Sequence, residues 1–182
     1  MKRVSATLLL CSLFFVSCAG VPADKPMVTD VTVRLLTDKD LGAYAVWPEN
    51  AFKEHETLIF KSKVKFYAFL VQGTVAPGDG ISVHSCDLME NGIPLGGEVL
   101  YQEALLSYWK SFPADAKSDK ELASIVVKYS PPAPTLPHRK GVVNCVVLLS
   151  VRKDAGTPDS WLVAIDAAGE RREFSGAIEQ TK

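Results

Sequence analysis

The segment Lys61-Ser62-Lys63-Val64-Lys65-Phe66-Tyr67-Ala68-Phe69-Leu70-Val71-Gln72 decides the fold class. It alternates with a period of two, the spacing at which side chains of an extended chain take opposite faces. Val64, Phe66, Ala68 and Leu70 share one face, and Lys65, Tyr67, Phe69 and Val71 share the other. The second face starts polar and turns apolar, as a strand does when it leaves an edge and enters a covered sheet.

Working outward, Gly73-Thr74-Val75-Ala76-Pro77-Gly78-Asp79-Gly80 is turn chemistry, and alternation resumes from Ile81 to Cys86. Ile81 and Val83 are expected on the core face, which places Cys86 on the opposite side unless a bulge intervenes. Upstream, Val28 to Leu36 reads as a strand and Ala43 to Trp47 as a shorter one. Residues 49–56 read as a short helix with Pro48 near its first turn. Downstream, Val142 to Val151 is a strong strand, with Val143, Cys145, Val147, Leu149 and Val151 on one face. Trp161, Val163 and Ile165 repeat the pattern before a turn at Asp166-Ala167-Ala168-Gly169, and a last strand runs from Glu173 to Ile178.

Between these strands the period changes. Tyr101, Leu105, Tyr108 and Phe112 fall at helical spacing, with Glu103, Ser107 and Lys110 as a polar stripe. The spacing predicts an amphipathic helix from Glu98 to Phe112, ended by Pro113. Ser118-Asp119-Lys120-Glu121 is a capping-box sequence, with Leu122, Ile125, Val126 and Tyr129 behind it. The β-branched pair Val126-Val127 keeps a strand open there. Four prolines make 130–138 an extended loop. Six to eight strand candidates around one or two central helical ones fit an antiparallel β-sandwich carrying a helical insertion around 98–128. Parallel βαβ units would need helices between most strands.

The N-terminus has a different character. Met1-Lys2-Arg3 is a positive start, followed by the apolar run Ala6 to Val16. This is the composition of a secretory signal, and it is shorter than the about 20 apolar residues of a spanning helix. The run closes in Phe15-Val16-Ser17-Cys18-Ala19-Gly20, which resembles the lipobox of bacterial lipoproteins, with Phe15 standing where leucine is usual. The resemblance implies cleavage after Ser17 and a diacylglycerol-modified Cys18 as the new N-terminus. Ala19, where an aspartate would favour retention at the inner membrane, implies an outer-membrane destination on its periplasmic or surface face. The chain then divides into a signal peptide at 1–17, a lipid-anchored tether at 18–26 and one domain at 27–182. Two further pieces, Phe69-Leu70-Val71-Gln72-Gly73-Thr74-Val75-Ala76-Pro77-Gly78 and Trp161-Leu162-Val163-Ala164-Ile165-Asp166-Ala167-Ala168-Gly169, resemble bacterial immunoglobulin-like domains. That likeness covers about a ninth of the mature chain and is shared by many β-sandwiches.

Loss of Lys2 and Arg3 with the signal moves the formal charge from −1 to −3. A mildly acidic chain with mixed signs lacks the basic footprint of a nucleic-acid binder. Of the four cysteines, Cys11 leaves with the signal and Cys18 takes lipid. Cys86 and Cys145 remain as a candidate disulfide of an exported domain, or as two buried thiols.

Catalytic signatures are missing from the sequence: there is no G-x-S-x-G elbow, P-loop ending, H-E-x-x-H or C-x-x-C. In His84-Ser85-Cys86-Asp87, strand parity projects His84 and Cys86 to the same side, a pair suited to a soft metal. A stable site wants three or four ligands, so neither metal nor cofactor is expected. His55, in a charge run, and His138, in the proline loop, read as solvated surface. Trp109, offset from the main helical stripe, is the candidate for an exposed partner contact. The expected role is that of a non-enzymatic binding or assembly module, lipid-anchored in the cell envelope with a protein partner there. The alternative is a small-ligand or metal-binding lipoprotein using residues 84–112.

Overall fold

The computed structural model describes residues 29–37, 39–40, 64–76, 78–110, 120, 123–124, 127–128 and 130–179, the side chains of Thr29 and of 108–110 excepted. In chain order the elements are β1 (Thr29–Leu35), β2 (Val64–Thr74), β3 (Ile81–Glu90), β4 (Ile93–Pro94), β5 (Glu98–Leu100), α1 (Gln102–Lys110), β6 (His138–Arg139), β7 (Val142–Arg152), β8 (Ser160–Ala167) and β9 (Glu170–Ala177). They form two antiparallel sheets. One runs β1-β2-β7-β5, with β6 also on β7, and the other runs β4-β3-β8-β9. The expected antiparallel β-sandwich is the fold.

The core lies between the sheets. Phe69, Val71, Val143, Val147 and Leu149 from the first sheet meet Ile81, Leu88, Trp161, Val163 and Ile165 from the second. Phe69 and Trp161 meet edge-on across the interface, with ring centroids 5.5 Å apart, a geometry that puts positive ring edge on negative ring face.

The first sheet also buries much of its outer face. Leu100 pairs with Leu148 and Leu148 with Ala68, and the Leu36 amide donates to the Ala68 carbonyl. This row is buried, as are the adjacent Val146 and Leu70 and Leu105 of α1. The face turns polar at Gln72 and Asn144, whose side-chain amides meet at 3.5 Å. Gln102 donates its side-chain amide to the carbonyls of Val127 and Ser130, tying the start of α1 to the returning chain.

Three two-residue hairpins have one design: Asn91-Gly92, Lys140-Gly141 and Ala168-Gly169 each place both residues at positive φ. That is the backbone of a type I′ turn, whose twist matches that of the flanking strands. The partner pairs Glu90 with Ile93, Arg139 with Val142 and Ala167 with Glu170 close them.

Several expectations are corrected. Residues 98–100 are not the first helical turn. They pair with β7 as β5, and the helix begins at Gln102. Residues 120, 123–124 and 127–128 are helical, as expected for the insertion, while Leu122, Ile125, Val126 and Tyr129 lie outside the described residues. The strand at 43–47, the helix at 49–56, the signal, the tether and Cys18 also lie outside them.

In β3 the ladder shifts between Val83 and Ser85, a bulge that adds one residue opposite β8. Below it the phase reverses, so Cys86 and Leu88 face the core while His84 stays outside. His84 and Cys86 therefore do not share a side. Cys86 and Cys145 are both buried free thiols, not a disulfide. Ile81 Cδ1 would touch a Cβ on Gly73, which pairs with Val143, so these residues mark one level of the sandwich. From there Cys145 is two residues on. Cys86 is five on, with one absorbed by the bulge. That offset of about two residues, roughly 7 Å along the strands, adds to the roughly 10 Å between sheets. A disulfide closes between residues at one level of two facing sheets, and this offset works against the pairing.

Candidate functional site

A concave feature stands at one end of the sandwich. On the inner face, Lys65 pairs with Val151 and Tyr67 with Leu149 at the first residues of β2 and the last of β7. Beyond the core the sheets no longer cover this face. Lys65, Tyr67, Val151, Arg152, Lys153, Gly156, Thr157 and Pro158 line a cleft of about 310 Å³ there. Its lining includes one aromatic ring, Tyr67, and three basic residues, Lys65, Arg152 and Lys153.

The local structure explains how the rim is held. The Arg152 guanidinium meets Asp154 in a fork, with Nε 2.8 Å from Oδ1 and Nη2 2.6 Å from Oδ2. Asp154 holds the Arg152 pKa above its ordinary value through these hydrogen bonds. Lys65 Nζ lies 5.0 Å from the centre of the Tyr67 ring, within reach of a cation–π attraction. The loop after β7 is clamped from the other sheet. The Thr157 amide donates to Glu90 Oε1 at 3.0 Å, and the Asn91 amide donates to Asp159 Oδ2 at 2.7 Å. The Ser160 hydroxyl and that Asn91 amide hold the Asp159 carboxyl below its usual range. At Gly156, φ is +139° and an added Cβ would come within 2.8 Å of Leu95 Cδ2 and closer still to Glu90. Glycine is required at this approach.

A second polar group sits on the outer face of the other sheet. Arg171 Nη2 donates to His84 Nδ1 at 2.9 Å, and Arg171 Nε donates to Asp166 Oδ1 at 3.2 Å. His84 Nδ1 also lies 3.4 Å from Asp166 Oδ2. All three side chains are well exposed. The group joins the bulge of β3 to β8 and β9, and exposed ion pairs of this kind are worth about 0–1 kcal/mol each.

The remaining expected residues fare as follows. Burial pushes the Cys86 thiol up to about 12, helped by the charge of Asp87. Burial pushes Cys145 up to about 11, against a hydrogen bond from the Asn144 backbone. Protonated thiols in an apolar core are poor nucleophiles. Tyr101, partly buried, is also raised by burial and lies within electrostatic reach of Cys86. The Trp109 side chain lies outside the described ones, and Cys18 outside the described residues. Among the described residues no group of three or more His, Cys, Asp or Glu is placed to hold a metal, and no helix there is long and apolar enough to cross a membrane.

The sequence reading did not find the cleft. Lys65 and Arg152 lie far apart in the chain, and only the β2–β7 ladder makes them neighbours. The charge cluster Arg152-Lys153 directly after an apolar strand is the signal that was present.

Comparison with known proteins finds no matching family model, no matching curated protein and no matching solved structure.

Proposed function

We propose that this chain is a lipoprotein of the bacterial envelope, anchored through Cys18, that acts as a non-enzymatic binding or assembly module. One observation supports it beyond the lipobox: the anchor side and the cleft are at opposite ends of the same sheet. β1 begins at Thr29, which pairs with Thr74 at the last residue of β2, whereas the cleft is built at the first residues of β2. The intervening strand, Val64–Thr74, is 11 residues, roughly 35 Å of extended chain. Ten residues, 19–28, separate Cys18 from Thr29, a reach of at most roughly 36 Å. The chain thus enters the domain at the end of the sheet opposite the cleft.

The alternative is a small-ligand or metal-binding lipoprotein using residues 84–112, and its metal-binding form loses support because the β3 bulge separates His84 from Cys86. Fold alone does not distinguish binding roles, so the test is direct. Intact mass of the protein purified from its native cells is expected to show a chain beginning at Cys18 and carrying lipid. Crosslinking in those cells through residues at the cleft end, such as Lys153, is expected to capture a stoichiometric envelope protein. A mature chain that begins elsewhere, or that carries no lipid on Cys18, refutes the anchor. Capture by Lys140 at the opposite end, with none by Lys153, refutes the cleft end as the contact surface.

A further inference from the structure

We propose that β9 pairs with β9 of a second copy of this chain, antiparallel and two-fold symmetric about Phe174, so that one sheet runs through both copies. The pairing goes beyond the binding role proposed above and depends on neither the lipid nor the cleft. Other edges of the sandwich are blunted. β1 carries a bulge between Thr29 and Thr32, with Asp30 at φ 59°, and β4, β5 and β6 have only two or three residues. Bulges and short strands keep an edge from templating another chain. β9 ends its sheet, runs for 8 residues without proline and pairs with β8 without a register shift. Among the described residues no strand lies on its other side.

The β8–β9 turn fixes which backbone groups face that edge. Ala167 and Glu170 close a type I′ hairpin, and such a closing pair exchanges both of its hydrogen bonds. Bonded pairs recur at every second residue, so Glu170, Arg172, Phe174 and Gly176 turn their N–H and C=O groups to β8. The Ile178 amide, which donates to the Asp159 carbonyl, keeps the same phase. Arg171, Glu173, Ser175 and Ala177 therefore turn theirs to the free edge, and these four residues are exposed. Arg171 does not block the approach, because its guanidinium reaches back over β8 to Asp166 and His84.

The side chains are self-complementary in one register. Glu170-Arg171-Arg172-Glu173 precede Phe174, and the uncharged Ser175-Gly176-Ala177-Ile178 follow it. A two-fold axis at Phe174 lays the charged half of each strand on the uncharged half of the other. Glu173 meets Ser175, Arg172 meets Gly176 and Arg171 meets Ala177. An axis at Glu173 or Arg172 would oppose that residue to its own copy, a destabilising like-charge pair. An axis at Ser175 overlaps less of β9. Phe174 packs beside the core yet is only half-buried. On the axis it meets its copy in a non-hydrogen-bonded pair, where side chains approach most closely, and the pairing covers apolar surface that one copy leaves in water.

The test follows the full chain in a mild detergent by sedimentation equilibrium over a range of concentrations. A reversible monomer–dimer equilibrium is expected. Ser175→Lys sets a cation against the partner's Glu173 and is expected to tighten the dimer about threefold or more, and Ser175→Glu to weaken it by a similar factor. Glu173→Lys combined with Ser175→Glu restores opposite charges and is expected to recover at least the parent strength. Ser175→Pro removes an edge N–H that β8 does not use. It is expected to weaken the dimer about tenfold or more, with little change in the melting temperature of the monomer. A chain that stays monomeric at every concentration overturns the pairing and leaves the edge to a strand of another protein. A dimer that Ser175→Lys and Ser175→Glu affect alike, or that Ser175→Pro leaves unchanged, also overturns it. Failure of the lipid anchor leaves this result unaffected, because the detergent holds the chain in solution with or without lipid.

Discussion

The central strand of the five-stranded sheet and that of the four-stranded sheet differ in what covers their outer faces. In β7 the inward residues Val143, Cys145, Val147, Leu149 and Val151 are buried, and so are the outward Val146 and Leu148. In β8 the inward Trp161, Val163, Ile165 and Ala167 are buried, and of the outward residues Ala164 is buried while Leu162 and Asp166 are partly exposed. Both strands carry apolar runs, and the difference lies in the outward leucines: Leu148 is covered and Leu162 is partly exposed. One sheet is an interior layer over its middle rows. The other is a wall with a wet side.

The largest expected effect breaks this contrast directly. Leu148→Ala is expected to cost about 2–5 kcal/mol, the range for a fully buried leucine. Leu162→Ala, at a comparable outward position of the other sheet, is expected to cost about 1 kcal/mol or less, in line with its partial exposure. Urea unfolding measures both, and equal losses would mean that the two outer faces are not different.

Much of this was legible in advance, and the failures have physical causes. The long strands were readable because a two-residue period over eight or more residues is unmistakable. β4, β5 and β6, of two or three residues, are too short to show a period. Residues 98–100 were absorbed into the neighbouring helix because Tyr101 and Leu105 share its spacing. Asn91-Gly92 is a strong local hairpin signal, and it marks the β3–β4 turn. The phase of Cys86 turned on one extra residue that alternation alone cannot locate. The cleft was invisible because its cations meet only through long-range pairing.

The remaining predictions sharpen the comparison in descending size. At the edge of the wet-sided sheet, Gly176 pairs with Trp161, and an added Cβ would lie 2.8 Å from the indole. Gly176→Ala is expected to cost about 1–3 kcal/mol by overpacking, and Trp161→Phe in the same chain should recover part of the loss. Denaturant midpoints of the single and double variants test the coupling.

Next come the thiols, one in each sheet. The folded chain keeps Cys86 protonated up to about 12, whereas an unfolded thiol ionises near about 8.5. Above that range the unfolded state binds fewer protons, so stability falls as pH rises, by up to about 1.4 kcal/mol per pH unit. The fall ends near the folded value, sooner for Cys145, which ionises at about 11. Below pH 8 neither thiol contributes. Unfolding curves at pH 8, 9.5 and 10.5 should show a shallower decline in Cys86→Ala than in the parent, and parallel declines would contradict the burial of this thiol.

The smallest effect is a gain. Ala168 occupies a left-handed position, φ 51°, in the β8–β9 turn, a conformation that asparagine tolerates better. Ala168→Asn is expected to stabilise by up to about 1 kcal/mol, read as a rise in melting temperature. Asn91→Ala, in the equivalent turn, should lose a similar amount.

The bulge at His84 gives β3 one place where its length can change at no cost to the interior. Deletion of His84 would leave an unbroken alternation, with Ile81, Val83, Cys86 and Leu88 still inward and Ser82, Ser85 and Asp87 still outward. The same deletion one residue below the bulge has no surplus to remove, and it would set Leu88 against the solvent. The surplus residue thus divides the strand into a part that can be shortened and a part that cannot.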